Sequence, residues 1–98
     1  MNIQAMMKQA QKLQKDMMEE KNKIDSEIFE GKSSIVEVKV KGTKEIVDIK
    51  INSEKIEEDE IEMLQDMIVV AINDAMSKID KETENKMGKF TQGMPGLF

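Results

Sequence analysis

The apolar residues of the first segment fall at Ile3, Met6, Met7, Ala10, Leu13, Met17, Ile24 and Ile28. This three-and-four spacing draws one stripe along a helix. The residues between them are mostly Gln, Lys and Glu, with no Gly or Pro and one late Ser, so intrinsic propensity agrees with the periodicity. The pattern predicts a helix from Asn2 to about Glu27, nearly 40 Å long at roughly 1.5 Å per residue. Read as heptads, Ile3, Ala10, Met17 and Ile24 share one position, and Met6 and Leu13 share another. Glu20 and Glu27 then occupy that second seam, which argues against a long independent coiled coil.

From Phe29 the pattern changes, and Gly31, Lys32, Ser33 and Ser34 read as a break. Val36, Val38 and Val40 then alternate with Glu37, Lys39 and Lys41. After a Lys41 to Lys44 turn that contains Gly42, Val47, Ile49 and Ile51 alternate with Asp48 and Lys50. Period-two alternation on both sides of a turn predicts an antiparallel β-hairpin with one apolar and one charged face. Two strands alone are only marginally stable, so the apolar face needs a helix, a second subunit or both.

Asn52 to Glu58 connects the hairpin to a second helix. Asp59 and Glu62 have capping-box spacing, and the acidic run from Glu57 to Glu60 suits the positive end of a helix dipole. Ile61, Leu64, Ile68, Ala71, Ile72, Ala75 and Ile79 form the stripe of this helix, flanked by Met67, Val69, Val70 and Met76. More than half its circumference is apolar there, which predicts burial on two sides. The stripe thins to Thr83, Met87 and Phe90, and the helix is expected to end near Gly88. The expected fold class is α+β: long N-terminal helix, hairpin or small sheet, long C-terminal helix. A single domain over 1–90 precedes a tail, 91–98, whose Gly93, Pro95 and Gly96 predict mobility. The core or dimer contact is assigned to Val36, Val38, Val40, Val47, Ile49, Ile51, Leu64, Ile68 and Ile72.

Composition narrows the chemistry. With 98 residues and 39% hydrophobic content, the chain makes one small domain that struggles to close a core alone, so self-association is expected. It contains no Cys or His, which leaves no zinc finger, no disulfide and no thiol or imidazole catalysis. The run from Glu57 to Glu62 lacks the Gly and spaced ligands of a calcium loop and reads as a helix start rather than a metal site. There is no Gly-rich phosphate loop and no nucleophile with a base, and nothing pairs Asp48 or Asp74 for acid–base work. Neither an enzyme, a cofactor nor a small-molecule substrate is expected. No stretch approaches the roughly 20 apolar residues of a membrane span, so the expected location is the cytoplasm, away from membranes.

The formal charge is −5, and all basic residues are Lys. The charge is unevenly spread. Residues 1–18 hold Lys8, Lys12 and Lys15 against Asp16, a net +2; residues 78–98 hold Lys78, Lys81, Lys86 and Lys89 against Asp80, Glu82 and Glu84, a net +1. The centre therefore carries −8. Lys8, Lys12 and Lys15 share one helix face at i, i+4 and i+7, beside Gln4 and Gln11. That row suits a phosphate backbone and equally suits a solvated helix face. The second set is interleaved with acids that can pair with it locally. Ten Met residues, among them Met6, Met7, Met17, Met18, Met63, Met67 and Met76, fit core or dimer packing, and also fit an adaptable protein-binding groove.

Several segments together resemble one family. Met6-Met7-Lys8-Gln9-Ala10-Gln11-Lys12-Leu13-Gln14 is similar to the M-K-Q-A-Q-x-[ML]-Q opening of the YbaB/EbfC nucleoid-associated proteins. The resemblance continues through Val38–Gly42, Val47–Ile51, Glu62–Asp66 and Ala71–Ala75 to the Gly93-Met94-Pro95-Gly96-Leu97-Phe98 tail, in the same order over essentially the whole length. It implies a bacterial homodimer shaped like tweezers, with a β-sheet core and projecting first and last helices that bind double-stranded DNA at the nucleoid. Carried over by position, the DNA-binding role falls on Lys8, Lys12 and Lys15, and on Lys78, Lys81, Lys86 and Lys89. Many relatives include Arg in these helices, whereas this chain has none, which points to charge- or shape-driven binding with little base specificity. The alternative is a non-enzymatic adaptor or chaperone-like dimer that binds protein through Met-rich arms.

Overall fold

The computed structural model describes residues 2–91; the expected mobile tail lies outside the described residues, apart from Thr91. The elements are α1 (Ile3–Ser26), β1 (Ile28–Ser33), β2 (Val36–Lys41), β3 (Ile46–Ile51), a single 3-10 turn (Glu58–Glu60) and α2 (Ile61–Thr91). The α+β architecture agrees with the sequence reading, but the sheet has three antiparallel strands in the order β1-β2-β3.

The additional strand occupies the segment read as a break, and Ile28, placed on the helical stripe, begins it. Register explains why its pattern was weak. Phe29, Gly31 and Ser33 pair with Val40, Val38 and Val36 and so share their face of the sheet. Of these three, Gly31 and Ser33 offer no apolar side chain to read. Gly31 is nevertheless where α2 seats: a Cβ there would overlap the carbonyl oxygen of Ala71 and stand 2.7 Å from the Ala75 nitrogen. Gly42 likewise serves close approach, since a Cβ would overlap the Ile24 carbonyl; the positive φ of that turn falls on Lys44.

Around this seat, Val36, Val38, Val40, Ala71, Ala75 and Ile79 are buried, with Phe29, Leu64, Met67, Ile68, Ile72 and Met76 packed on them. A second cluster joins the helices: Ile24 with Met87 and Phe90, supported by Leu13, Met17 and Phe29. Phe29 belongs to both and ties the sheet to the helix pair. Because Phe90 is buried in that joint, α2 continues through Gly88 to Thr91 instead of stopping at the glycine. Its start also differs from the expected Asp59/Glu62 box. Glu60 Oε1 accepts the Glu57 N–H at 3.2 Å, so the reciprocal cap sits two residues earlier, on the 3-10 turn.

Two parts of the expected core are open. Ile49 and Ile51 stand opposite Val38 and Val36 and are still 42% and 37% exposed. A register shift pairs Val40 with Ile46 and leaves Val47 as the bulge residue, also exposed. α2 is buried on one side only, with Val69 and Val70 more than half exposed. The helix lies over β1 and β2, and β3 remains uncovered. The opposite face of the sheet is a charge checkerboard, Glu30–Lys39–Asp48 beside Lys32–Glu37–Lys50 across the strands. There the Asn52 amide, at 3.1 Å, and the Lys32 ammonium hold the Glu37 carboxyl below the usual carboxylate range.

The outcome is elongated, 71 × 21 × 14 Å, with a radius of gyration of 19.5 Å where a compact domain of this length has about 13 Å. Replacing Gly31 by Ala should lift α2 from the sheet and cost about 1–3 kcal/mol in a urea melt followed by circular dichroism. Gly88→Ala, where an added Cβ meets nothing within 4 Å, should instead add about 0.5–1 kcal/mol. A Gly31→Ala protein as stable as the parent would refute this account of the helix seat.

Candidate nucleic-acid interface

The second cluster sets the geometry of the arm. Leu13, Met17 and Ile24 turn one side of α1 toward Met87 and Phe90 of α2. At about 100° per residue, Lys8 and Lys15 then lie on the opposite side, with Lys12 beside them. All three are exposed, and among the described residues none forms an ion pair. Every residue from Asn2 to Lys12 is exposed.

Its electrostatics are uncompensated in a second respect. The first turn of α1 contains no acidic residue, and the first acid in the chain is Asp16. The helix begins instead with Asn2, whose side-chain oxygen accepts the Gln4 N–H at 3.0 Å. A neutral cap satisfies a backbone donor without cancelling the positive end of the helix dipole. By contrast, α2 begins with Glu58, Asp59, Glu60 and Glu62. The two helix starts therefore have opposite charge, and only the α1 start is suited to approach a polyanion.

The lysines of α2 divide into separate roles. Lys78 donates to the Glu30 carbonyl at 2.7 Å and lies 3.6 Å from Asp74, whose carboxylate accepts the Lys32 N–H at 3.0 Å. This pair satisfies backbone groups on the outer edge of β1, which makes Lys78 part of the body. Lys86 pairs with Glu82 at 3.9 Å. Lys81 forms no ion pair among the described residues, and Lys89 stands 5.0 Å from the centroid of the Phe90 ring. Met87 and Phe90 face α1, which directs Lys81 and Lys89 away from it. The two sets thus occupy opposite outer faces of the helix pair, and the structure does not bring the seven lysines together. Spacing alone found the α1 row; the structural role of Lys78 depends on contacts with β1, 48 positions away, which helix periodicity does not encode.

The apolar stripe of α1 continues past the joint without cover, leaving Ile3, Met6 and Met7 at least half exposed. Among the described residues there is no group of His, Cys, Asp and Glu placed to hold a metal ion, and no helix is long and apolar enough to cross a membrane.

A nucleoid-associated protein of Ligilactobacillus salivarius is 48% identical over 99% of this chain and 95% of its own length. Another, from Lactococcus lactis subsp. cremoris, is 47% identical over 97% of this chain and 98% of its own. The crystal structure of the uncharacterized Helicobacter pylori protein HP0035 superposes with a TM-score of 0.74 at 22% identity, covering 92% of this chain and 97% of that one, which shows a shared fold. Residues 1–94 match the YbaB/EbfC DNA-binding family as a whole, and this match, with relatives aligned end to end, makes the chain a member of that family.

Proposed function

We propose that the protein is a nucleoid-associated homodimer that binds duplex DNA with little sequence specificity through its projecting helices, and so influences nucleoid organisation or gene expression. The observation that carries this reading is the α1 start: three exposed, unpaired lysines on one face, with no acid before Asp16. An ammonium on a flexible stem neutralises phosphate as a point charge without selecting a base. The body, with a net −8 between residues 19 and 77, repels the duplex and restricts approach to the arms. In this reading residues 1–90 act as one domain, located in the cytoplasm on the nucleoid. No membrane, cofactor or small-molecule substrate is involved.

The dimer is supported by an asymmetry of the sheet. Asp74 and Lys78 occupy the backbone groups on the edge of β1, while β3 has no strand beyond it and exposes Ile46, Val47, Ile49 and Ile51. Exposed strand edges are normally blocked, and a bare apolar one is a site of pairing. Helix geometry places Val69, Ile72 and Met76 on the shoulder of α2 opposite Asp74, beside the uncovered strand. A second copy seated there would bury the open half of the sheet and double the lysine row. The exposed Met6 and Met7 favour the second reading, a protein-binding adaptor. In that case material that co-purifies with the protein would survive nuclease digestion.

The dimer is tested by Ile49→Lys, which should convert a particle of twice 11.2 kDa into one of 11.2 kDa in analytical ultracentrifugation. An unchanged mass would move the interface elsewhere. For DNA, six lysines from two α1 helices give a slope of log K against log salt of about −5. Tight binding that ignores salt would contradict this mechanism. Changing Lys8, Lys12 and Lys15 together to Glu should abolish the mobility shift and leave the dimer intact, whereas Lys78→Gln should spare binding and lower stability by about 1 kcal/mol.

A further inference from the structure

The lysine row fills only part of the outward face of α1. Gln4 and Gln11 stand beside it, one heptad apart, each about 40° round the helix from Lys8 and Lys15 respectively. Both are exposed, and the backbone N–H of Gln4 donates to the Asn2 side-chain oxygen. Among the described residues neither side-chain amide has a hydrogen-bond partner. The face thus carries two parallel stripes, one of cations and one of primary amides.

The two stripes have different chemistry. The cations suit phosphates, while a primary amide offers a donor and an acceptor side by side. That pair matches the N6 amino group and N7 of adenine in the major groove. The same part of α1 has no Arg to grip guanine, its lysines are engaged as point charges by the phosphates in this reading, and it has no carboxylate to accept from cytosine N4. A helix, about 10–12 Å across, enters the major groove, about 12 Å wide, and is excluded from the minor groove at about 6 Å. Positions about two turns apart on a groove-bound helix reach bases about two steps apart, which is the spacing of Gln4 and Gln11. Met7, exposed on the far side of the amide stripe from the lysines, presents an apolar group where the thymine methyl of such a pair projects.

We infer that Gln4 and Gln11 read adenine edges in the major groove and give this protein a modest preference for A·T-rich duplex; the inference rests on the DNA-binding reading above. The lysines supply affinity and the amides supply the bias. Because only two flexible side chains read bases, the bias is small compared with that of a sequence-specific repressor.

The test is fluorescence anisotropy of the full chain, at one fixed salt concentration, with equal-length A·T-rich and G·C-rich duplexes. A third duplex carries 7-deazaadenine, which removes the N7 acceptor and leaves pairing and the minor groove unchanged. The parent should bind the A·T-rich duplex about fivefold more tightly than the G·C-rich one. The preference should vanish on the 7-deazaadenine duplex and in the Q4A/Q11A variant, whose affinity for the G·C-rich duplex stays within about twofold because its lysines are intact. Both replacements are on an exposed helix face, and Ala is the stronger helix former, so circular dichroism should report an intact fold. A parent that binds every duplex equally, or a preference that survives Q4A/Q11A or the loss of N7, overturns the inference and leaves the DNA-binding reading standing. A parent that binds no duplex overturns the DNA-binding reading itself.

Discussion

The contact on which the structure depends is the seating of α2 against Gly31. Helix and strand approach so closely there that no side chain fits between them, and Ala71 and Ala75 are the small residues that complete the approach. The seat lies over β1 and β2 rather than over the middle of the sheet. Two consequences follow from one displacement. Asp74 and Lys78, on the outer shoulder of the helix, reach the backbone of β1 and cover that edge. The other shoulder stops short of β3, and a strand with apolar side chains on the helix-covered face is left without a helix. The covered edge and the bare edge are thus two sides of the same geometry, and they leave β3 as the side available to a second copy.

The same helix, held firmly at Gly31, extends well beyond the sheet and serves as the support for α1. The joint at Leu13, Met17, Ile24, Met87 and Phe90 is small, and α1 continues past it for another ten residues, all exposed. That extension buries little surface with which to offset the entropy of ordering. It is held by strong helix formers, by the Asn2 cap and by propagation from the joint. A segment held in this way opens locally at low cost. Stability is therefore concentrated in the body, and the arm retains the freedom to conform.

Much of this was legible in the chain. The two helices, the β2–β3 hairpin and the buried valines of β2 follow from periodicity alone, because each has a regular apolar face. β1 was not, for a physical reason: the residue that anchors it is a glycine, and a glycine required by close packing has the same one-letter signature as a glycine required by a turn. Gly42 makes the converse point, since it sits in a turn but is needed for the approach of α1, and Lys44 takes the left-handed conformation instead. Gly88 reads as a stop because the apolar stripe thins beyond Ile79; the burial of Phe90 against α1 overrides it. On the interface, the charged row on α1 was legible as spacing, whereas the assignment of Lys78 to the body required knowledge of which strand lies beside α2.

Net charge is a poor guide to what such a molecule approaches. A Debye length of about 8 Å at physiological ionic strength is short compared with a 71 Å particle, so a duplex near the start of α1 responds to the charges there and barely senses the far side of the body. Elongation is what separates the two regions. Folded into a compact sphere, the same residues would bring all three lysines within screening distance of the central acids; along the straight helix only Lys15, about one turn from Glu19, is that close. The long helices therefore do more than carry the lysines outward. They keep Lys8 and Lys12 beyond a Debye length from the acidic body on which the arm's stability depends.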